Sequence, residues 1–246
     1  VATIGYGNTA SGTNAIAMGN GNEASGTNAI AMGNGNEASN THTIAMGSST
    51  TASGNKSTSI GEATTASGPI STAMGKSTTA SGRSSTSMGE NTIAKGGYST
   101  SMGYKTTASG MLSVAMGYDV SAADYASLSI GRYNNLNNTD TSANAFNSQN
   151  MAFVIGNGLS LTDRRDAFAV RFDGATDVFG TLDVSGNVDI SGTTRFHRSI
   201  KANEGVGNVN IDLSGNLDMS GNLSILGNLD TSGVATIGYG NTATGT

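Results

Sequence analysis

The side chains best suited to chemistry are few and scattered. The only two histidines are His42 and His197, and the chain has no cysteine. Catalysis needs an acid, a base or a nucleophile converging on one point, and neither histidine has such company. His42 occupies a repeat position held elsewhere by Asn14, Asn28, Lys56, Ile70, Ser84 and Tyr98, a set without common chemistry, so it reads as a surface histidine. His197 sits in Arg195-Phe-His-Arg-Ser-Ile-Lys201, a small basic strand among acidic segments. Its expected role is salt bridging between chains, with anion or glycan binding as the other reading. Asp183, Asp189, Asp212, Asp218 and Asp230 recur at one position of a six-residue unit. Three chains would gather them into rings, but they alternate with apolar residues and are expected to face solvent. Without cysteine there is no disulfide frame and no thiolate metal site; no catalytic residue, cofactor or metal is assigned.

A contact surface is better supported. After each repeated glycine comes Asn20, Asn34, Ser48, Glu62, Lys76, Glu90, Tyr104, Tyr118 or Arg132, so this position varies and faces outward. If the repeats stack as strands, Tyr104 and Tyr118 are neighbours one strand spacing apart, roughly 4.8 Å. Tyr98 and Tyr125 are expected nearby. A tyrosine combines an apolar ring with a polar tip and suits sugars or protein loops, so Tyr98, Tyr104, Tyr118 and Tyr125 form the candidate receptor-contact set.

What positions these residues is a repeat of 14. Ile4, Met18, Met32, Met46, Ile60, Met74, Met88, Met102, Met116 and Ile130 are each followed by glycine. Six residues after each of the first nine comes an alanine, from Ala10 to Ala122, mostly as Ala-Ser-Gly. Two residues before the Met or Ile stands Ile16, Ile30, Ile44, Thr58, Thr72, Thr86, Thr100, Val114 or Leu128, and the residue between is always Ala or Ser. Alternation with period two is a strand signature. Fourteen residues thus make one flat coil of two strands and two glycine turns, and ten coils stack to roughly 48 Å. The Met and Ile side chains are expected to form a ladder down the interior, since Met is unbranched and fills irregular gaps.

A second period, of six, runs through Leu182-Asp-Val-Ser-Gly-Asn, Val188-Asp-Ile-Ser-Gly-Thr, Ile211-Asp-Leu-Ser-Gly-Asn, Leu217-Asp-Met-Ser-Gly-Asn, Leu223-Ser-Ile-Leu-Gly-Asn and Leu229-Asp-Thr-Ser-Gly. One hexad forms one side of a coil, and a short isolated β-segment is marginal in water. Three chains, each giving a side per layer, would enclose a core, which predicts a homotrimeric shaft. Between these regions lie five of the six phenylalanines, Phe146, Phe153, Phe168, Phe172 and Phe179. Ile155-Gly156 follows Ile130-Gly131 by 25 residues, one coil plus an insertion of 11. A last bulged coil is expected there, then a strand in Asp166-Ala-Phe-Ala-Val-Arg-Phe-Asp-Gly, with the aromatics capping the open solenoid end. Finally, Val1-Ala-Thr-Ile-Gly-Tyr-Gly-Asn-Thr-Ala-Ser-Gly-Thr returns at Val234, displaced by 233 residues and changed only at Ser11 versus Thr244. The expected organisation is therefore a roll over 1–131, a bulged coil and aromatic cap over 132–180, a hexad shaft over 181–233 and the start of another roll over 234–246.

Composition agrees. Glycine is 36 of 246 residues, charged residues are 12%, aromatics 5%, and Pro69 is the only proline. Few aromatics and a polar surface of Gly, Ser, Thr and Asn resemble a disordered chain, but strictly periodic apolar residues can be buried together even when few. Residues 1–131 carry five basic and six acidic side chains, and 132–246 carry seven and eleven. Neither half offers the clustered Lys/Arg footprint of a nucleic-acid binder, and no apolar run is long enough to insert this segment in a membrane.

The 14-residue pattern, as in Asn14-Ala-Ile-Ala-Met-Gly and Glu23-Ala-Ser-Gly, resembles the head repeats of trimeric autotransporter adhesins, the YadA-like family. The resemblance covers roughly 1–131 and resumes at 234–246. It implies a left-handed parallel β-roll, three of which pack about an axis, exposed on a cell surface for attachment to host matrix or other cells. No neck motif or heptad stalk follows; the hexads instead resemble β-helical shafts of phage and viral tail fibres, as does Phe153-Val-Ile-Gly-Asn-Gly. The expectation is an all-β trimeric attachment fibre with a host glycan or a matrix or cell-surface protein as partner, extracellular on a cell or virion. A purely structural filament spacer is the second reading. Binding of ice or a crystal surface by Thr51, Thr65, Thr79 and Thr107 ranks last, because Glu23, Glu37 and Ile93 interrupt that column.

Overall fold

The computed structural model describes residues 1–136, 142–185, 187–189 and 191. The hexads from 192 onward, the returning segment 234–246, and His197, Asp212, Asp218 and Asp230 lie outside the described residues. Val1–Ser185 form one compact unit; of the second, Gly186–Thr246, the described Asn187, Val188, Asp189 and Ser191 are exposed.

Each 14-residue coil holds one five-residue and one two-residue strand, as in Ile16–Asn20 and Glu23–Ala24. Consecutive coils pair in parallel with no slip: Met18 lies opposite Met32 and Ala24 opposite Ala38. The long strands begin a 13-stranded sheet and the short ones form a nine-stranded sheet, both in chain order. No helix is present among the described residues. This is a parallel β-roll with 14-residue coils.

The turns explain the repeat's odd members. Asn14, Asn28, His42, Lys56, Ile70, Ser84, Tyr98, Leu112 and Ala126 all take φ between 53° and 62°. What they share is a left-handed corner with the side chain outside, which costs a non-glycine residue about 1–2 kcal/mol and so is sustained by the stacked backbone. The glycine after each Met or Ile is obligatory for a different reason. At Gly47, φ is 130° and an added Cβ would lie 1.9 Å from the carbonyl oxygen of Gly61 in the next coil.

The interior corrects one expectation. The methionines do not run down the middle of the roll. Fully buried positions belong to the small residues between them, Ala17, Ala31, Ala45, Ser59, Ala73, Ser87, Ser101 and Ala115, and to Ala24, Ala38, Ala52, Ala66, Ala80, Ala94 and Ala108 of the short strands. Met74 and Met116 are 39% and 38% exposed, and the largest fully buried side chain is Val120. The two sheets approach so closely that a longer side chain cannot fit between them, so alternation sends the bulky residues outward.

So thin a core leans on polar ladders. Asn22 and Asn36 are buried and stacked, with Asn36 Nδ2 2.8 Å from Asn22 Oδ1, 2.9 Å from the Met32 carbonyl and 2.8 Å from that of Gly47. Thr50 continues the column, its hydroxyl donating to Asn36 Oδ1 at 2.7 Å. Three of the serines that replace alanine in the long strand meet a threonine hydroxyl: Ser59 with Thr64, Ser87 with Thr92 and Ser101 with Thr106, each at 2.8 Å. These buried polar groups are thereby satisfied, whereas the hydroxyls of Ser57, Ser71, Thr78 and Ser113 are buried without a partner.

The stack ends as the spacing predicts for its last coil: Ile130 pairs with Ile155 and Gly131 with Gly156 across the insertion. Strand Met151–Asn157 then pairs antiparallel with Asp166–Arg171, and that with Thr176–Val178. Reversal of chain direction stops the roll, and the short-strand sheet gains no further member after Ser121–Ala122. Phe153 packs edge-on to Phe168 at 6.1 Å, and Phe146 to Phe172 at 5.3 Å.

Candidate contact surface

Two surfaces follow from this inside-out placement. The first is the outer face of the long strands. Ile16 and Met18, Ile30 and Met32, Ile44 and Met46, and their equivalents to Val114 and Met116 stand in two adjacent half-exposed columns up the roll. Thr58, Thr72, Thr86 and Thr100 occupy the first column over the middle coils. Contiguous apolar surface on this scale marks an interaction face.

The second surface is the tyrosine column. Tyr104 and Tyr118 end adjacent long strands and pair in register. Their rings stack with centroids 4.9 Å apart and planes at 27°. Tyr133, one repeat after Asp119, adds a third ring 5.3 Å from Tyr118 at 63°. It comes not from the column of Tyr104 but from the next one, beside Lys105 and Asp119, where φ is positive. A side-chain hydrogen bond that Tyr133 shares with Tyr118, which favours the neutral phenol, and then desolvation raise the Tyr133 hydroxyl's pKa above its ordinary value.

Cations frame these rings. Lys105 Nζ lies 5.3 Å from the Tyr104 centroid, and the guanidinium carbons of Arg132 and Arg164 lie 5.5 and 5.6 Å from that of Tyr133. Arg164 is tied to the Asp119 carboxylate and donates to its carbonyl at 3.0 Å. Arg132 donates to the Leu159 carbonyl at 3.1 Å. A hollow of about 250 Å³ opens between Tyr118, Arg132 and Tyr133.

The other two expected tyrosines lie elsewhere on the coil. Tyr98, half-exposed with φ of 60°, sits in the turn ahead of strand Thr100–Tyr104. Tyr125 sits in the turn ahead of Leu128–Arg132, its N–H donating to the Ser142 carbonyl at 2.8 Å. Both are at the entry end of the long strands, whereas Tyr104 and Tyr118 are at the exit end. The structure therefore joins Tyr104 to Tyr118 and leaves Tyr98 and Tyr125 apart.

A further hollow, about 270 Å³, is lined by Asp124 and Asp166 together with Ser127, Ser129 and Asn134. Its carboxylates are used by the backbone. Asp124 Oδ2 accepts from Met151 N at 2.8 Å and Asp166 Oδ1 from Asn135 N at 2.9 Å. Burial raises the Asp166 carboxyl above its ordinary value, with the Asn135 N–H pulling the other way. No group of three His, Asp or Glu side chains converges among the described residues. His42 is exposed in its turn, Nε2 3.2 Å from Asn28 Nδ2. Asp183 and Asp189 are exposed.

A parallel roll with a small-residue core, an outward apolar stripe and variable turns belongs to the class of repeat-built head modules of fibrous surface proteins. A family model for the YadA head domain repeat (2 copies) matches residues 4–22, 24–50, 52–78, 66–92, 80–106 and 94–119. Over these residues the roll is similar to YadA head domain repeats. Repeats of this type form trimers and are adhesin-like and structural in character. No curated protein matches the chain.

Proposed function

We propose that this chain is a segment of a homotrimeric extracellular fibre that attaches its bearer, cell or virion, to a host cell surface or matrix, and that it is not an enzyme. The observation that carries the reading is the pair of apolar columns on the outer face of the long strands. A lone roll leaves Met74 and Met116 more than a third exposed, and three rolls facing one another would bury the stripe without altering the coil. Residues 1–131 serve as the roll, 132–180 as its cap, 181–233 as the shaft and 234–246 as the beginning of a further roll. On this reading Tyr104 with Tyr118 are the leading receptor contacts, Tyr98 and Tyr125 lesser ones. Sedimentation equilibrium of the chain, with attachment of fluorescent fibre to cultured cells, tests this; a monomer at micromolar concentration that binds no cell or matrix protein would overturn it.

The return of the first 13 residues at Val234 favours a second reading, a structural spacer of a tandem filament. A fibre in which deletion of 1–233 shortens the particle but leaves attachment unchanged would favour the spacer.

A further inference from the structure

We infer that the exit-turn platform of Tyr104, Tyr118, Tyr133, Lys105 and Arg132 is a site for an acidic saccharide, with the anionic group seated between Tyr118 and Arg132. The inference rests on the attachment reading above and names the ligand class for it.

The platform's geometry selects against other ligands. Its rings use their faces on one another, Tyr104 stacked on Tyr118 and Tyr133 flanked by Arg132 and Arg164. With their faces so used, the rings meet a ligand with their edges and hydroxyls, of which those of Tyr118 and Tyr133 share a hydrogen bond. Phenol hydroxyls beside an ammonium and a guanidinium are donors matched to a carboxylate or sulfate, and charge-assisted bonds of this kind are the strong ones. Among the cations, Arg164 is engaged by Asp119, which leaves Lys105 and Arg132 to meet the ligand's charge. Glu90 lies opposite Tyr104 one coil earlier. That carboxylate bounds the platform on one side and directs an anion toward the Arg132 end, where the hollow lies.

Recognition of a peptide by strand addition needs a free sheet edge with pockets for alternate side chains, and the platform offers neither. The turn backbone is already paired, Lys105 N to Glu90 O at 2.9 Å, Asp119 N to Tyr104 O at 2.7 Å and Tyr133 N to Tyr118 O at 3.1 Å. The hollow at the platform is lined by a guanidinium and two tyrosines. A polyhydroxylated chain carrying oxyanions, held by side-chain tips through wet contacts, is the ligand this surface fits.

The test is calorimetric titration of the full chain, in its native assembly, with four probes: a heparin hexasaccharide, a hyaluronan hexasaccharide, cellohexaose and hexaglutamate. The expected result is binding of one or both acidic hexasaccharides, weakened by salt, and no binding of the other two. Heparin alone identifies sulfate as the recognised group; hyaluronan as well identifies carboxylate. Tyr118→Phe keeps the ring and removes the hydroxyl, and Arg132→Gln removes the charge. Each is expected to weaken binding about tenfold, while Lys56→Gln at a remote turn changes nothing. Failure of both acidic sugars, equal binding of hexaglutamate, or variants that bind like the parent would overturn the assignment. Cell attachment by a Tyr104→Ser, Tyr118→Ser double variant separates the two levels. If attachment falls while no saccharide binds, the contact site stands and the ligand class is wrong; if attachment is unchanged, the site itself falls.

Discussion

Asn36 lies one coil above Asn22, and its amide nitrogen reaches the Asn22 Oδ1 at 2.8 Å while also facing the carbonyls of Met32 and Gly47. One buried side chain thus stitches three successive coils where the two sheets leave room for little else. This column ties the first coils together alongside apolar burial.

Replacing Asn36 with alanine removes every one of these contacts and leaves buried carbonyls without donors. The cost of stranding such groups is about 1–3 kcal/mol each, partly relieved by water, so Asn36→Ala is expected to lose roughly 2–4 kcal/mol. Asn36→Thr should lose less, because Thr50 fills the same position one coil on. Urea denaturation followed by circular dichroism measures both.

The glycine columns differ in kind, and two alanine substitutions expose the difference. Gly47→Ala drives a methyl into the Gly61 carbonyl at 1.9 Å, which the paired strands can relieve only by separating; a loss above about 3 kcal/mol is expected. Gly21→Ala meets nothing within 4 Å and has φ of 63°. Ala63 already occupies the equivalent turn with φ of 52°, so the expected cost is only about 1–2 kcal/mol. Similar midpoints for the two variants would refute the close-approach account.

The interior and the outer face can be separated by a pair of variants. Ala73 is fully buried between sheets, and Ala73→Leu inserts bulk that no neighbour can yield to; loss of the β signal in circular dichroism is expected. Met88 lies on the outer face between Met74 and Met102. Met88→Lys should keep the β signal but dissociate the assembly in sedimentation. Unfolding of the Met88 variant as a monomer would show the methionines to be core after all.

That last contrast also marks how far the sequence is legible. The coil length, both strands, the turns and even the bulged last coil follow from register, because a stacked solenoid forces each residue to repeat its neighbour's backbone. Which face is inside does not follow from alternation, since period two is the same whichever face is buried. The signal lay in constancy of size. Ala17 through Ser129 never exceed serine, as an interior of fixed width requires, while Ile16 through Leu128 vary among Ile, Thr, Val and Leu. Tyr104 and Tyr118 were legible as stacked neighbours because they share a column. Tyr133 was not, because it reaches them from the adjacent column, and Arg164 arrives from beyond the insertion.

Asp166 gives the molecule a pH dependence whose sign can be worked out. Burial raises its carboxyl above the ordinary value of 3.8, outweighing the Asn135 N–H that favours the charged form. The folded chain therefore holds this proton more tightly than the unfolded chain does, in the window between the ordinary value and the raised one. Stability contributed by Asp166 falls as pH rises through that window, and the penalty persists at neutral pH. Asp166→Asn removes the charge and keeps an oxygen for the Asn135 N–H. It is expected to stabilise the fold at pH 7 by less than about 1 kcal/mol, since the group is only partly buried and solvent screens it. The advantage should vanish as pH falls below the ordinary carboxylate value, where the wild-type side chain is neutral in both states. Denaturation midpoints of the two proteins at pH 3, 5 and 7 decide it: an advantage that grows toward acid would mean that Asp166 is stabilised as a carboxylate, contrary to the balance inferred from its burial.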